Sequence, residues 1–243
     1  MKPYVVAIVP SAGSGKRFGG SVKKTYVHLS GVPVVIQTLL QLNASEDINE
    51  IIPVVAEEDR QLLIDLLSRF TLQKITKVAK GGKERQDSIS NALALVAKAD
   101  LVLIHDGVRP FVSSKLIASL VNTSQDVDGV IPAVAIKDTI KERDASGFVI
   151  QTVDRERFAS VQTPQVFHWH VIKRAYEKAC EEGYYGTDDA SLVERIGGKV
   201  RIIEGEYFNI KITTPEDMVI GEFILQRNNV TNSTMLNYTM CKL

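Results

Sequence analysis

The stretch YVVAIVPSAGSGKRFGGSVKKT, residues 4–25, decides the fold, because it joins a short apolar run to a glycine-rich, basic loop. YVVAIV (4–9) is short and rich in β-branched residues, which indicates a strand buried within a sheet. The loop that follows carries four cations: Lys16, Arg17, Lys23 and Lys24. Backbone N–H groups in a glycine-rich turn bind phosphate oxygens, so the loop predicts a phosphate site.

Two familiar phosphate loops do not fit this stretch. A Walker A loop needs Gly, four residues and then Gly-Lys-Ser/Thr, but Pro10 stands at the first glycine position and Arg17 follows Lys16. A Rossmann G-x-G-x-x-G motif fails because GSGKRFG (13–19) has one residue too many before its third glycine. Several cations suit a polyphosphate whose charge shifts during a reaction, and a solvated basic loop is the alternative.

Beyond the loop, short apolar runs alternate with amphipathic stretches. The predicted strands are 4–9, 50–56, 74–79, 99–106, 128–135 and 199–203. The predicted helices are 33–42, 58–70, 84–97, 113–122, 169–182 and one that begins at Thr214 and Pro215. This order predicts an α/β fold with a mostly parallel sheet and helices on both faces. Ligands of such sheets bind beyond the carboxyl ends of the strands, where the loop after the first strand lies.

The region 136–162 breaks this order. It is highly charged and has a DASG turn signal at 144–147, so it predicts a β-hairpin. Because an isolated two-stranded hairpin is marginal in water, we expect an arm that packs on a second subunit; a surface excursion is the alternative. Residues 1–227 are expected to form a single domain, and 228–243, where the periodicity is lost, a flexible tail.

The composition narrows the class of protein. Lys plus Arg and Asp plus Glu number 29 each, so the chain lacks the basic excess that is typical of nucleic-acid binders. Cys180 and Cys241 belong to no CxxC or Cys/His cluster, which argues against a disulfide framework or structural zinc. Neither a signal peptide nor an apolar run of roughly 20 residues is present. We therefore expect a cytoplasmic protein with no membrane or nucleic-acid partner.

Two further segments place candidate residues at the ligand edge of the sheet. GGKERQDS (81–88) has Gly81 and Gly82 between a strand and a helix, either as a bare turn or where the backbone approaches a flat ligand such as a base. In HDGVRP (105–110), Asp106 follows a buried strand. Mg²⁺ takes one or two carboxylates together with phosphate oxygens and waters, so Asp106 is a candidate Mg²⁺ ligand; a helix cap is the alternative.

Six segments together resemble the 2-C-methyl-D-erythritol 4-phosphate cytidylyltransferase family, in the family's order and over residues 4–226. They are SAGSGKRF…KKTY, GGKERQDSI, HDGVRPF, DRERFASVQTPQVF, TDDASLVE and NIKITTPEDM. The resemblance implies a Rossmann-like nucleotidyltransferase fold and transfer of CMP from CTP to a methylerythritol phosphate, with Mg²⁺ and release of pyrophosphate. It also implies a role in the non-mevalonate isoprenoid pathway and a homodimer joined through the β-arm.

The resemblance implies roles for the residues at matching positions on the CTP side. Those that would contact the nucleotide are Ala12, Gly13, Gly15, Gly82 and Ser88. Arg17 and Lys24 would stabilise the triphosphate and the transition state, and Asp106 would bind Mg²⁺. Ser11 stands where the family usually has Ala, and Lys23 stands where it usually has Pro. Two adjacent lysines then compete for the transition-state role, and the spacing to Tyr26 favours Lys24.

On the acceptor side, the resemblance implies that Arg155 and Lys211 position the attacking phosphate and that Thr187 contacts the acceptor. Arg109 and Thr139 match groups that the family supplies across the dimer, so the acceptor pocket would be shared between subunits. Two alternatives stay open. The acceptor could be another polyol phosphate such as ribitol 5-phosphate, or the chain could be a non-catalytic CTP sensor on the same fold.

Overall fold

An eight-stranded sheet with helices on both faces forms the centre of the computed structural model, which describes residues 2–13 and 23–240, with side chains to residue 227. The strands are β1 (Val5–Pro10), β2 (His28–Leu29), β3 (Val32–Pro33), β4 (Glu50–Val55), β5 (Ala79–Lys80), β6 (Leu101–Ile104), β7 (Gly129–Ala135), β8 (Lys141–Arg143), β9 (Val149–Thr152), β10 (Ala159–Val161), β11 (Gln165–His168) and β12 (Val200–Glu204). The helices are α1 (Val34–Ala44), α2 (Arg60–Leu67), α3 (Arg85–Leu93), α4 (Ser114–Thr123), α5 (Trp169–Glu181), α6 (Asp189–Arg195) and α7 (Pro215–Met240). The strand order is β10-β7-β11-β6-β1-β4-β5, and β12 pairs with β7.

The first strand shows why both faces of the sheet are covered. β1 pairs in parallel with β4 on one side and with β6 on the other. Val5, Ala7 and Val9 belong to an apolar cluster that includes α1 and α4, whereas Val6 and Ile8 belong to a second cluster that includes α3 and α5. Burial on both faces is the reason that this run carries no polar residue. The predicted α/β fold with a mostly parallel sheet is confirmed.

One strand beside the centre runs against its neighbours. β11 pairs antiparallel with both β6 and β7, so that Gln165 lies opposite Ile104. The sequence does not predict this strand, because only Val166 and Phe167 of its four residues are apolar. Its direction brings the segment just before it, with Thr163, to the edge where β1 and β6 end. This edge is the ligand edge that the parallel strands predict.

The predicted strand at 74–79 is shorter in the structure. Ile75 forms a single bridge to Ile51, and regular pairing with β4 returns only at β5. Two of the three residues between these points, Thr76 and Lys77, are polar, and only Val78 packs against the core, so the segment gains little from continuous burial. The strand ends in Gly81 and Gly82, as predicted, and α3 follows.

The last helix begins as its sequence predicts. Pro215 is the first residue of α7, and the Asp217 carboxylate accepts from the backbone N–H groups of Thr213 and Thr214 at 2.7 and 2.8 Å. The backbone stays helical to Met240, so α7 extends into 228–243. The flexibility of that segment and the single domain at 1–227 stay predictions.

The charged region 136–162 contains the predicted hairpin. β8 and β9 form a separate two-stranded sheet joined by the DASG turn, where Gly147 adopts a φ of 91° that favours glycine. Phe148 at its tip is 74% exposed. The chain then returns through β10, which pairs with β7 at the edge of the central sheet. Of the helices in the described part of the chain, none has the length and apolarity that a membrane span requires.

Candidate active site

A first cleft of about 410 Å³ lies at the carboxyl ends of β1, β5 and β6. Its walls come from the loop after β1, the start of α3 and the loop after β6. The lining residues are Pro10, Ser11, Ala12, Gly13, Lys24, Thr25, Gly82, Lys83, Glu84, Arg85, Ser88, Asp106, Val108 and Lys211. Gly15 and Arg17, which the sequence also predicts at this site, lie outside the described residues.

A second, smaller cleft of about 190 Å³ adjoins the first. It lies between the loop after β6, the segment before β11 and the start of α6. The lining residues are Arg85, Asp106, Arg109, Val161, Gln162, Thr163, Gln165, Thr187, Asp188 and Lys211. Arg85, Asp106 and Lys211 line both clefts, so these three side chains mark a junction between two binding spaces.

Close backbone contacts shape the floor of the first cleft. A Cβ on Gly81 would lie 2.4 Å from the Cβ of Ala12, so no larger residue fits between the two loops. The Ser88 hydroxyl accepts from the N–H of Gly82 at 2.9 Å and donates to the carbonyl of Glu84 at 3.0 Å. Ser11 turns its hydroxyl away from the cleft, to the carbonyl of Val9 at 3.3 Å. Glycine at position 81 therefore permits the close approach of these two loops, and contact of the Gly81-Gly82 backbone with a ligand stays a prediction.

The two adjacent lysines have different surroundings. Lys23 Nζ lies 2.9 Å from Glu58 Oε1 and 2.7 Å from Asp59 Oδ2, beside the start of α2. Lys24 lines the first cleft and begins a short 3₁₀ helix that ends at Tyr26. Of the two lysines, Lys24 is thus the one that lies at the first cleft, and its role toward a ligand stays a prediction.

Asp106 lies at the junction with three cations around its carboxylate. Arg85 Nε lies 3.3 Å from Oδ1, while Lys211 Nζ and Arg109 Nε lie 2.8 and 3.7 Å from Oδ2. Burial raises the pKa of Asp106, but Arg85, Lys211 and Arg109 outweigh burial and hold the pKa well below its usual range. The carboxylate is therefore ionised at neutral pH and carries the negative charge that a metal ion requires.

The backbone of Asp106 is fixed from behind by a buried hydrogen-bond chain. The carbonyl of Arg109 can only accept, so His105 Nε2 carries the proton and donates to it at 2.9 Å. Nδ1 then accepts from the Thr163 hydroxyl at 3.1 Å, and Thr163 Oγ1 accepts from the N–H of Asp106 at 3.0 Å. Burial lowers the pKa of His105 to about 4, so the ring is neutral at pH 7. Each hydrogen bond in this series therefore has one defined donor and one defined acceptor.

Hydrogen bonds to Thr163, Arg109 and Val108 hold the segment that contains Lys211. Asn209, which is fully buried, donates from Nδ2 to the carbonyl of Thr163 at 2.8 Å, and its own carbonyl accepts from Arg109 Nη1 at 2.8 Å. The N–H of Ile212 donates to the carbonyl of Val108 at 2.8 Å. These bonds place Lys211 beside Asp106, although the two residues are far apart in the sequence.

Not every predicted residue reaches the clefts. Thr139 and Arg155 are exposed on the arm, and neither lines either cleft in the single chain. Arg155 donates instead to the carbonyl of Lys137. Arg109, which the resemblance supplies across the dimer, contacts Asp106 and Asn209 of its own chain. Thr187 is exposed at the rim of the second cleft.

Three residues at the junction have no predicted site role: Arg85, Thr163 and Asp189. Each lies in a segment that the sequence singles out, namely GGKERQDS, QTPQVF and TDDASLVE. Asp188 does serve the start of α6, since its side chain accepts from the N–H of Ser191 at 2.9 Å. Asp189 points inward, is 1% exposed and binds Arg85. The second acid directly after a helix cap is the only hint that the sequence offers, and it does not show that this acid is buried.

The site fits a metal ion that shares its ligands with a phosphate. No group of three or more His, Cys, Asp or Glu among the described residues could hold a metal ion on its own. Among the described residues, Asp106 is the carboxylate that lines both clefts. Mg²⁺ needs only one or two protein carboxylates when phosphate oxygens and waters complete its shell, so Asp106 is a suitable donor.

Comparison with known proteins gives a consistent result. The model of the 2-C-methyl-D-erythritol 4-phosphate cytidylyltransferase family matches residues 5–227. A curated relative of that name from Syntrophus aciditrophicus is 45% identical over 229 residues, which cover 93% of this chain and 98% of the relative. Another of that name, from Geobacillus kaustophilus, is 48% identical over 220 residues, which cover 90% of this chain and 96% of the relative.

A solved structure shows the same likeness in three dimensions. The crystal structure of 4-diphosphocytidyl-2C-methyl-D-erythritol synthase from Anaerococcus prevotii superposes with a TM-score of 0.82 at 34% sequence identity. The match covers 92% of this chain and 96% of that chain. The likeness thus extends over nearly the whole fold.

Proposed function

This chain belongs to the 2-C-methyl-D-erythritol 4-phosphate cytidylyltransferase family, and we propose that its two joined clefts perform that reaction: CMP transfer from CTP to 2-C-methyl-D-erythritol 4-phosphate, with release of pyrophosphate. It is a nucleotidyltransferase enzyme of isoprenoid precursor biosynthesis. The observation that carries the proposal is the junction at Asp106, where two clefts meet among three cations.

CTP occupies the first cleft in this proposal. The backbone at Ala12 and Gly13 holds phosphate oxygens, together with Gly15 and Arg17 of the predicted loop. Gly82, held in place by Ser88, lies where a flat base can approach the backbone. Lys24 faces the triphosphate from the opposite wall and stabilises the charge on the departing pyrophosphate.

The acceptor phosphate enters from the second cleft, past Thr187 and Lys211. One of its oxygens attacks the α-phosphorus of CTP in line with the bond to the leaving pyrophosphate. This nucleophile is already anionic near neutral pH, so the reaction needs no general base. Two anions must approach each other, and the cations Lys211 and Arg109 offset their repulsion and hold the acceptor in position.

Asp106 holds a Mg²⁺ ion in this proposal. When bound, the ion neutralises triphosphate charge and polarises the α-phosphate. The chain's own part is to keep the carboxylate ionised, which the three surrounding cations do. The Thr163 hydroxyl also fixes the backbone of Asp106, so that the carboxylate has a defined position relative to the bound phosphate.

The arm supports a homodimer. Phe148, Val149 and Ile150 at its tip are 74, 60 and 59% exposed, which is costly for three consecutive apolar residues unless another surface covers them. Thr139 and Arg155 lie on this arm away from their own clefts. A second copy of the chain that binds the arm can receive these two side chains at its acceptor cleft. A cytoplasmic location stays a prediction.

Pyrophosphate release tests the function directly. The protein is mixed with CTP and either 2-C-methyl-D-erythritol 4-phosphate or ribitol 5-phosphate, with and without added Mg²⁺. We expect release with the methylerythritol phosphate and Mg²⁺. Release with ribitol 5-phosphate alone would overturn the acceptor, and tight CTP binding without release in any mixture would make the chain a nucleotide sensor.

A further inference from the structure

Three residues line both clefts, and one of them, Arg85, is given no role in the function proposed above beyond its charge beside Asp106. Arg85 is the first residue of α3, and its guanidinium contacts two carboxylates. Nη1 and Nη2 donate to Asp189 Oδ1 and Oδ2 at 3.0 and 2.7 Å, and Nε donates to Asp106 Oδ1 at 3.3 Å. A planar guanidinium bound on two edges cannot turn without breaking bonds to both partners.

Asp189 is a rigid anchor for this guanidinium. It is the first residue of α6, is 1% exposed, and accepts from the Tyr176 hydroxyl at 2.6 Å. Burial raises the pKa of Tyr176 well above its usual value, and Asp189 raises it further, so the hydroxyl remains a donor. With almost no access to water, Asp189 cannot exchange these bonds for solvent.

The other two cations contact Asp106 in a different way. Lys211 reaches Oδ2 at 2.8 Å with a single ammonium on a flexible stem, and its side chain is 38% exposed. Arg109 lies 3.7 Å from the same oxygen, and its Nε has no hydrogen-bond partner among the described residues. The Lys211 ammonium can turn toward an incoming phosphate, and Arg109 is held by the carbonyl of Asn209 rather than by a carboxylate. Arg85 alone of the three binds Oδ1 and is held from behind by Asp189.

Resting on the proposed role of Asp106, we propose that Arg85 is a positioning residue: anchored by Asp189, it fixes Oδ1 of Asp106 and leaves Oδ2 for the groups that change partners during turnover. The same contact joins the starts of α3 and α6, which carry the two sides of the junction. Gln86 strengthens this joint, since its side chain binds the carbonyl of Tyr184 at 2.8 Å and the N–H of Gly186 at 3.0 Å.

The test separates the positive charge of Arg85 from its two hydrogen bonds to Asp189. Arg85→Lys retains one positive charge but cannot bind Asp189 in a bidentate way and also reach Asp106. Asp189→Asn removes the charged anchor, and Tyr176→Phe removes only the hydroxyl behind it. Arg195→Lys is the matched control, because Arg195 forms a comparable pair with Glu182, at 2.8 Å, outside both clefts.

Pyrophosphate release at saturating CTP and acceptor gives kcat, and the KM for CTP is measured in parallel. We expect Arg85→Lys and Asp189→Asn to lower kcat about 10- to 100-fold, because a small displacement of a reacting group has effects of this size. The KM for CTP should stay within about 3-fold of the value for the unsubstituted protein, because the Arg85–Asp189 pair is not expected to contribute to ground-state binding of CTP. Tyr176→Phe should lower kcat by a smaller factor, and Arg195→Lys should leave it unchanged.

Three outcomes decide against the inference. A normal kcat in Arg85→Lys would show that the bidentate contact with Asp189 is not required. A raised KM for CTP with a normal kcat would make Arg85 a ligand of the nucleotide. A lower melting temperature with full activity in the folded fraction would make the pair structural only. Asp106→Asn distinguishes a failure of this inference from a failure of the proposed function. Normal activity in Asp106→Asn would contradict the proposed role of Asp106. An inactive Asp106→Asn together with a normal Arg85→Lys would contradict only the inference about Arg85.

Discussion

The ammonium of Lys23 lies 2.7 Å from the carboxylate of Asp59, and this ion pair turns Lys23 away from the first cleft. Lys24, the next residue, lines the cleft. Since a β-like backbone at Lys23 precedes the 3₁₀ helix, the two side chains start on different sides of the chain. The two adjacent lysines thus have different surroundings: Lys23 pairs with carboxylates just before α2, and Lys24 lines the cleft.

Replacing Lys24 should affect the chemical step. We expect Lys24→Ala to lower kcat about 100-fold, because it removes a charge that stabilises the departing pyrophosphate. Lys23→Ala is the matched control and should change kcat by less than about 3-fold, since a partly exposed ion pair contributes little. Steady-state pyrophosphate release measures both, and the reverse order of effects would exchange the roles of the two lysines.

Removing the Thr163 hydroxyl should loosen Asp106. Thr163→Val leaves the N–H of Asp106 without its acceptor, and a buried unsatisfied group costs about 1–3 kcal/mol of unfolding free energy. Thr163→Ser keeps the hydroxyl and should retain most of the stability and turnover. Chemical denaturation and kcat are measured for both variants, and a larger loss in Thr163→Ser than in Thr163→Val would show that the methyl group matters instead.

The buried His105 predicts how stability depends on pH. Its pKa falls from 6.5 in the unfolded chain to about 4 in the folded one, so the unfolded state binds the proton more readily. The stabilisation is present above about pH 6.5 and is lost as the pH falls to about 4, by an amount on the order of 3 kcal/mol. Urea unfolding at pH 7, 5.5 and 4 should show this loss in the native protein.

His105→Gln provides the control for that pH series, because glutamine does not titrate. Its stability should be lower at pH 7, where a buried hydrogen bond is changed, but flatter between pH 6.5 and 4. A parallel slope in the two proteins would assign the loss to other groups.

A methyl group at Gly81 should disturb the nucleotide loop. In Gly81→Ala, the new Cβ would lie 2.4 Å from the Cβ of Ala12, so one of the two loops must move. Because overpacking of this kind costs about 1–3 kcal/mol, we expect the KM for CTP to rise about 10-fold. Gly221→Ala, whose nearest atom would be the end of the Leu29 side chain at 3.1 Å, outside both clefts, should leave the KM for CTP unchanged.

Charges at the tip of the arm should separate the proposed dimer. Phe148→Asp with Ile150→Asp places two carboxylates where an apolar partner surface is expected, so sedimentation should show monomers and turnover should fall. Leu62→Asp is a control of the same chemistry, because Leu62 is 46% exposed on α2. A dimer that persists in the double variant would place the interface elsewhere.

The ligand edge of the sheet follows from the sequence, but the contacts across it do not. YVVAIV and LVLI identify parallel strands, so Gly13 and Asp106, which come after them, must lie close together. The pairing of Arg85 with Asp189 depends on how α3 and α6 meet, 104 residues apart. No periodicity in either helix encodes that meeting, and the acidic pair at 188–189 is equally compatible with a simple helix cap.

The sequence also does not show why Lys23 and Lys24, which are neighbours, have different surroundings. Spacing to Tyr26 favours Lys24 over Lys23, yet the physical reason is the position of Asp59 in another element. β11 is missed for a different cause, since a four-residue strand with two apolar side chains carries too little pattern to separate it from a loop.

The antiparallel β11 also sets the order in which the protein can be completed as it is synthesised. β6 has β1 on one side, and its other edge is covered only when residues 165–168 arrive. A nascent chain that ends before this point presents an open row of backbone N–H and C=O groups, which invites pairing with another chain. The same strand brings Thr163 to Asp106, so the growing chain covers the edge of β6 and builds the support of Asp106 in one event, before β12 is added beside β7.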